Sequence, residues 1–287
     1  MKKVAIIQDL SSFGKCSLTA AVPVLSVMGV QACPLPTAIL SAQTDYPSFF
    51  FEDFTDKIPH FIEEWSSMDA KFDGIHTGFV TGRKQIDHIF KFLEKFQTEN
   101  THLLVDPVMG DGGTAYKLYT DNLLSRMREL VKSAYVITPN VTECCLLTGL
   151  SYEKLYSYQN DDFIQALEEA GKNLQLVTGA KVIITGVTPP KYEGTGRFIG
   201  NMYIDREAIN YKAMPFNGLS YSGTGDLFAS VIMGGLMRGD HLSDSVHLAE
   251  SFLAAAIQDT SREDVPKIAG VNFEKFLGML LKKNTPL

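Results

Sequence analysis

Cysteine is scarce in this chain and poorly placed for cross-linking. Four occur, Cys16, Cys33, Cys144 and Cys145, and only the last two lie close together. Adjacent cysteines rarely form a disulfide. No Cys-x-x-Cys or Cys/His ligand spacing is present either, which argues against a zinc site. A reduced, cytoplasmic setting is expected. Long apolar runs are also missing. Val4-Ala5-Ile6-Ile7 is too short for a signal peptide and Gln8-Asp9 interrupts it. No stretch reaches the length of a membrane span. Positive charge is short as well, with 26 Lys and Arg against 33 Asp and Glu and a net charge of -7. Without a dense basic cluster, neither nucleic acid nor an anionic membrane is expected as a partner. Pro/Gly-rich linkers, internal repeats and low-complexity tracts are absent, so residues 1–287 are expected to form one domain.

What is present fits a soluble protein with a sizeable core: 45% of residues are apolar and 21% charged. Short apolar runs of buried-strand type alternate with helical patterns. Strands are expected over Val4 to Ile7, Val30 to Thr37, Gly74 to Phe79, His102 to Val105, Tyr135 to Thr138 and Val182 to Thr185. Phe49 to Phe54 reads as a short strand outside the main sheet. Phe198 to Ile204 and Ala208 to Ala213 read as an antiparallel pair. Helices are expected over Ser17 to Met28, with a kink at Pro23, over Lys57 to Met68, after Gly82, and over Leu123 to Val131 and Asp162 to Leu176. Three more close the chain, near Thr224 to Met237, Ser243 to Gln258 and Phe273 to Lys282. The alternation predicts a three-layer α/β/α fold with a central, mostly parallel sheet. In such sheets ligands bind beyond the carboxyl ends of the strands. Asp9, Thr44, Thr77-Gly78, Asp106, Asn140 and Thr185-Gly186 fall at those ends.

The strongest motif is Ser222-Gly223-Thr224-Gly225-Asp226, followed by an apolar helix. Two glycines allow a tight turn with exposed N–H groups, and a helix N-terminus favours an anion such as a migrating phosphate. Asp226, in the first turn, is placed to take a proton from an attacking hydroxyl. Read alone, it serves equally well as an ordinary first-turn acid. Two other phosphate motifs fail. Gly14-Lys15-Cys16-Ser17 lacks the first glycine of a Walker A loop, since position 9 is Asp. Gly223-Thr224-Gly225 does not continue as GxGxxG, since position 228 is Phe, so a nicotinamide oxidoreductase is disfavoured.

Asp106-Pro107-Val108-Met109-Gly110-Asp111-Gly112-Gly113 places an acid at a strand end before a glycine loop, which suits magnesium near phosphates. Asn140 and Glu143 lie three apart at a helix start and are able to organise a hydrated magnesium ion. By themselves, both motifs read more simply, as a turn and as a capping box. His76 reads as a satisfied buried histidine, and Cys144-Cys145 as packing.

Taken in order, these motifs resemble the ribokinase-like superfamily and, within it, the vitamin B6 kinases (pyridoxal/pyridoxamine kinases). The resemblance spans nearly the whole chain. It rests on Ile7-Gln8, Pro34 to Thr37, Ser41 to Tyr46, Thr77-Gly78-Phe79, Asp106 to Gly110, Thr138-Pro139-Asn140-x-x-Glu143 and Gly223 to Asp226. It implies an ATP-dependent kinase acting on the 5′-hydroxymethyl group of a B6 vitamer. Asp226 would be the base, and Gly223, Thr224 and Gly225 would form the anion hole. Asp9, Ser12, Thr44, Asp45 and Phe79 would face the substrate. Asp106, Asp111, Thr138, Asn140, Glu143, Thr185, Tyr211, Lys212, Ala213 and Met214 would serve ATP, with Asp106 and Glu143 on Mg2+. A monovalent cation such as K+ and a homodimer are further implications. Two positions depart from the B6 pattern: Asp9 stands where Ser is usual, and Phe79 where Tyr is usual. The Ser11 to Gly14 loop resembles the hydroxymethylpyrimidine kinases instead. A non-catalytic B6-binding protein of the same fold is the remaining alternative.

Overall fold

The structure, a computed structural model, describes residues 1–190, 197–205, 208–216 and 218–281. In chain order it contains β1 (Lys3–Ser11), α1 (Ser17–Val27), β2 (Gln31–Leu40), β3 (Phe51–Asp53), α2 (Ile58–Ser67), β4 (Gly74–Thr77), α3 (Arg83–Phe96) and β5 (His102–Val105). Then come β6 (Gly110–Asp111), β7 (Thr114–Ala115), α4 (Asp121–Leu130), β8 (Val136–Ile137), α5 (Val141–Thr148), α6 (Tyr152–Tyr156), α7 (Asn160–Thr178) and β9 (Lys181–Val187). The chain closes with β10 (Arg197–Ile204), β11 (Ile209–Phe216), α8 (Thr224–Arg238), α9 (Leu242–Thr260) and a 3-10 segment, Phe273–Leu280. That last segment was expected as an α-helix, and the expected end at Lys282 lies outside the described residues. The fold is α/β with mostly parallel strands and flanking helices, as the alternation predicted.

The chain packs as two compact units, each assembled from separate stretches. The first comprises residues 1–81, 88–102 and 219–287. Its strands run β4-β1-β2-β3, with β1 parallel to both β2 and β4. Ile6, Ile7, Leu25, Leu35 and Ile75 are fully buried in its core. Trp65, Phe72, Phe92 and Phe96 stack in one aromatic cluster. β2 runs three residues past its expected end at Thr37, through Pro34 and Pro36. Alternate N–H groups of a strand point the same way, and β3 reaches only Ala38 to Leu40. Both prolines therefore meet the open edge, where a missing donor is harmless. The extra length of β2 also corrects the placement of β3. Phe51–Asp53 is not outside the sheet but pairs antiparallel with Ala38 to Leu40 as its edge. α1 likewise continues through Pro23 to Val27.

The second unit comprises residues 82–87 and 103–218. Its strands run β5-β8-β9-β10-β11, the first three parallel and the last two antiparallel. Leu104, Ile137, Phe163 and Ile183 are buried at its centre. The β6/β7 hairpin was not anticipated. Its two-residue loop, Gly112-Gly113, has φ of 57° and 83°, the geometry that primed hairpin turns require. Among the described residues of the whole chain, no helix is long and apolar enough to cross a membrane.

Candidate active site

In the first unit the Gly-rich loop opens α8. Gly223 caps the helix in the left-handed region, φ 79°, and no side chain caps it. That leaves a helix N-terminus of the kind that serves an anion. Thr224 Oγ1 donates back to the Tyr221 carbonyl at 3.1 Å. Asp226 is half-buried in the first turn, and its carbonyl accepts the Ser230 hydroxyl at 2.6 Å. The loop rests on the chain entering α1. A Cβ on Gly223 would overlap the Lys15 carbonyl oxygen and lie 3.0 Å from Cys16 Cα. Gly223 is therefore fixed twice, by its φ and by contact.

The residues expected to face the substrate share this unit. Asp9, at the end of β1, is 5% exposed. It accepts the Ser11 hydroxyl at 2.7 Å and the Ser17 hydroxyl at 2.5 Å. Burial raises its pKa above the ordinary carboxylate value, and the two hydroxyls oppose that. The Cys16 thiol is pushed well up by burial, then by the negative charges of Asp226 and Asp9. One thiol thus senses both acids. Asp45 is exposed and accepts the Ser222 hydroxyl at 3.1 Å, beside the anion-hole loop. Gln43 braces it: Gln43 Oε1 accepts the Asp45 amide at 3.0 Å, and Gln43 Nε2 donates to the Ile268 carbonyl at 2.9 Å. Thr44 and Ser12 are exposed. The Phe79 carbonyl accepts the Thr37 hydroxyl at 2.8 Å.

His76 departs from its expectation. It is fully buried on β4, yet neither ring nitrogen has a partner. Burial lowers its pKa to about 4, so it is a neutral core residue rather than a satisfied one.

In the second unit Asp106 ends β5 and is 8% exposed. Thr138 Oγ1 donates to Asp106 Oδ1 at 3.1 Å. Asn140 and Glu143 form the capping box of α5: Asn140 Oδ1 accepts the Glu143 amide at 2.9 Å, and Glu143 Oε2 accepts the Asn140 amide at 2.8 Å. Glu143 Oε1 accepts a third amide, that of Met109, at 3.0 Å. Glu143 is thus held by the backbone on both oxygens. Its pKa is nonetheless raised, first by burial and then by the charge of Asp106, and burial also raises Asp106. Two neighbouring buried acids with no basic partner among the described residues fit a cation. Among the described residues no group of three or more His, Cys, Asp or Glu is placed to hold a metal. Magnesium does not need one, since it keeps several waters and takes one or two carboxylates plus phosphates.

Asp111 is exposed in the β6/β7 hairpin, and Asn140 Nδ2 ties that hairpin down by donating to the Gly110 carbonyl at 2.8 Å. Thr185 is half-buried and its amide donates to the Pro139 carbonyl at 2.9 Å. Tyr211, Lys212, Ala213 and Met214 lie on β11, with Gly200 of β10 registered between Ala213 and Val187 of β9. Sequence reasoning missed Lys15 and Ser17 as site residues and, for Ser222, its bond to Asp45; their importance lies in packing against Gly223 and in hydrogen bonds to Asp9 and Asp45. No motif announces such contacts.

Comparisons with known proteins agree with this fold. The family model for phosphomethylpyrimidine kinase matches residues 13–268. A Bacteroides thetaiotaomicron protein assigned as a phosphomethylpyrimidine kinase, in a crystal form with pyridoxal, is 36% identical with a TM-score of 0.87, covering 97% of this chain and 95% of its own. Pyridoxal kinase from Lactobacillus plantarum is 30% identical with a TM-score of 0.85, covering 98% and 96%. Hydroxymethylpyrimidine/phosphomethylpyrimidine kinase from Bacillus subtilis is 26% identical over 88% of this chain and 81% of its own. The relatives thus divide between B6 and pyrimidine kinases. The Walker A and dinucleotide readings were rightly set aside: this chain belongs to the phosphomethylpyrimidine kinase family of ribokinase-like kinases, alongside the pyridoxal kinases.

Proposed function

We propose that the protein transfers the γ-phosphate of ATP to the 5′-hydroxymethyl group of a B6 vitamer. The observation that carries this is Asp226, a half-buried acid in the first turn of an α-helix whose glycine cap is wedged against Lys15. Asp226 takes the hydroxyl proton as the oxygen attacks. The N–H groups of Gly223, Thr224 and Gly225 stabilise the charge on the transferring phosphoryl group. Ser12, Thr44, Asp45 and Phe79 bind the ring, while Asp9, buried and bonded to Ser11 and Ser17, acts on it through its charge and not by contact. A buried negative charge on that side of the site suits a protonated amine or pyridinium, which favours pyridoxamine.

Asp106 and Glu143 would hold magnesium, directly or through water, and Asp111, Thr138, Asn140, Thr185 and Tyr211 to Met214 would serve the nucleotide. Magnesium bound there neutralises charge on the phosphates. K+ as an additional ion, a cytoplasmic location and a homodimer complete the reading. Light scattering at twice the chain mass checks the dimer.

Phosphorylation of hydroxymethylpyrimidine is the second reading, favoured by the matching family model. Pyridoxal in the crystal of the 36% identical relative supports the B6 reading over it. Catalytic efficiency measured on pyridoxal, pyridoxamine, pyridoxine and hydroxymethylpyrimidine separates the two. A B6 vitamer is expected to lead, with pyridoxamine first. A clear lead for the pyrimidine overturns the proposal.

A further inference from the structure

The catalytic loop does not stand alone. Gly223 presses on the Lys15 carbonyl, and a Cβ on Gly270 would lie 2.8 Å from Lys15 Cβ and 3.2 Å from the Ser222 carbonyl oxygen. Gly223 and Gly270 thus both pack closely on Lys15. Its ammonium is pinned as well, donating to Asn272 Oδ1 at 2.8 Å and Glu274 Oε2 at 2.9 Å. Whatever fixes the turn through Lys15, Cys16 and Ser17 fixes the floor of the loop.

Ser17 has φ of 49°, a conformation that L-residues other than Gly, Asn and Asp seldom adopt. Such backbone persists only when its surroundings impose it. The candidate that imposes it is Asp9, whose Oδ1 accepts the Ser17 hydroxyl at 2.5 Å in a buried setting. Ser11 occupies the other oxygen at 2.7 Å. All three residues are buried.

We infer that Asp9 is a positioning residue, holding Ser17 in its left-handed conformation and so setting the floor on which the Gly223–Gly225 anion hole rests. This builds on the reading of that loop as the phosphoryl-transfer site. It also gives a reason for an acid where B6 kinases usually carry serine. A carboxylate offers each of the two hydroxyls its own oxygen, whereas a serine has a single oxygen on which to accept both.

The test is a rescue experiment on the full chain, with kcat and the KM for ATP and pyridoxal measured for S17A, S17G, D9A and D9A/S17G. Small displacements of a catalytic loop lower turnover steeply, so S17A and D9A are expected to lose about tenfold or more in kcat, with both KM values nearly unchanged. Glycine adopts positive φ without support, so S17G is expected to keep most of the turnover and to restore kcat in the D9A background. A substrate contact made by Asp9 gives a different result: D9A raises the KM for pyridoxal, and S17G restores nothing. That outcome overturns the inference, as does wild-type kcat in S17A. If S17A or D9A fails to fold, S17G and the double variant decide the matter. The loop's own role is judged separately, by D226N on the same preparation.

Discussion

His76 shows how far burial alone moves a side chain's chemistry. Its ring is fully buried without a hydrogen-bond partner, and its pKa falls to about 4. The unfolded chain binds a proton there below about pH 6.5, whereas the fold does not until about pH 4. Stability at this position is therefore full above pH 6.5 and is lost as pH falls toward 4. Between pH 7.5 and 5 the loss is on the order of 2 kcal/mol. Urea unfolding of the wild type and His76→Leu at those two pH values checks it: the variant is expected to lose less stability on acidification by about that amount. Equal losses would contradict the neutral-core assignment. From sequence, His76 was legible as a buried residue but not as an unsatisfied one. Asp9 was legible as a strand-end acid, but its bonds to Ser11 and Ser17 were not. A positive φ at Ser17 leaves no trace in residue type.

The elements that carry the site were legible where local chemistry specifies them. Asn140 and Glu143 announced a capping box by their spacing, and both reciprocal hydrogen bonds are present. Asn140 does more than cap, since its amide also reaches the Gly110 carbonyl in β6. Asn140→Ala is expected to lower stability by about 1 kcal/mol through the lost cap and to weaken ATP binding through the loosened hairpin. Urea denaturation and nucleotide titration measure the two effects, and unchanged values in both would contradict this account. The hairpin itself was hidden, because four paired residues carry too little pattern to distinguish a strand from a turn. β3 was placed wrongly for a related reason. Its partner on β2 lay beyond the expected end at Thr37, behind two prolines that ordinarily argue against a strand.

At the scale of the whole molecule, alternation of strands and helices was enough to predict the fold class, and motif order was enough to point to the superfamily. The division into two compact units was invisible. Each is built from discontinuous stretches, so no linker or composition shift along the chain marks it. Substrate choice is similarly diffuse: the proposed reading assigns it to exposed side chains such as Thr44 and Asp45, which form no spaced motif. The central claim is narrower: the chain is a kinase whose Asp226 deprotonates the acceptor hydroxyl. The direct measurement is turnover of Asp226→Asn with ATP and pyridoxal, with pyridoxal binding measured on the same protein. The account predicts a fall in kcat of roughly 10²- to 10⁴-fold while the vitamer still binds. Turnover at the wild-type rate would contradict it.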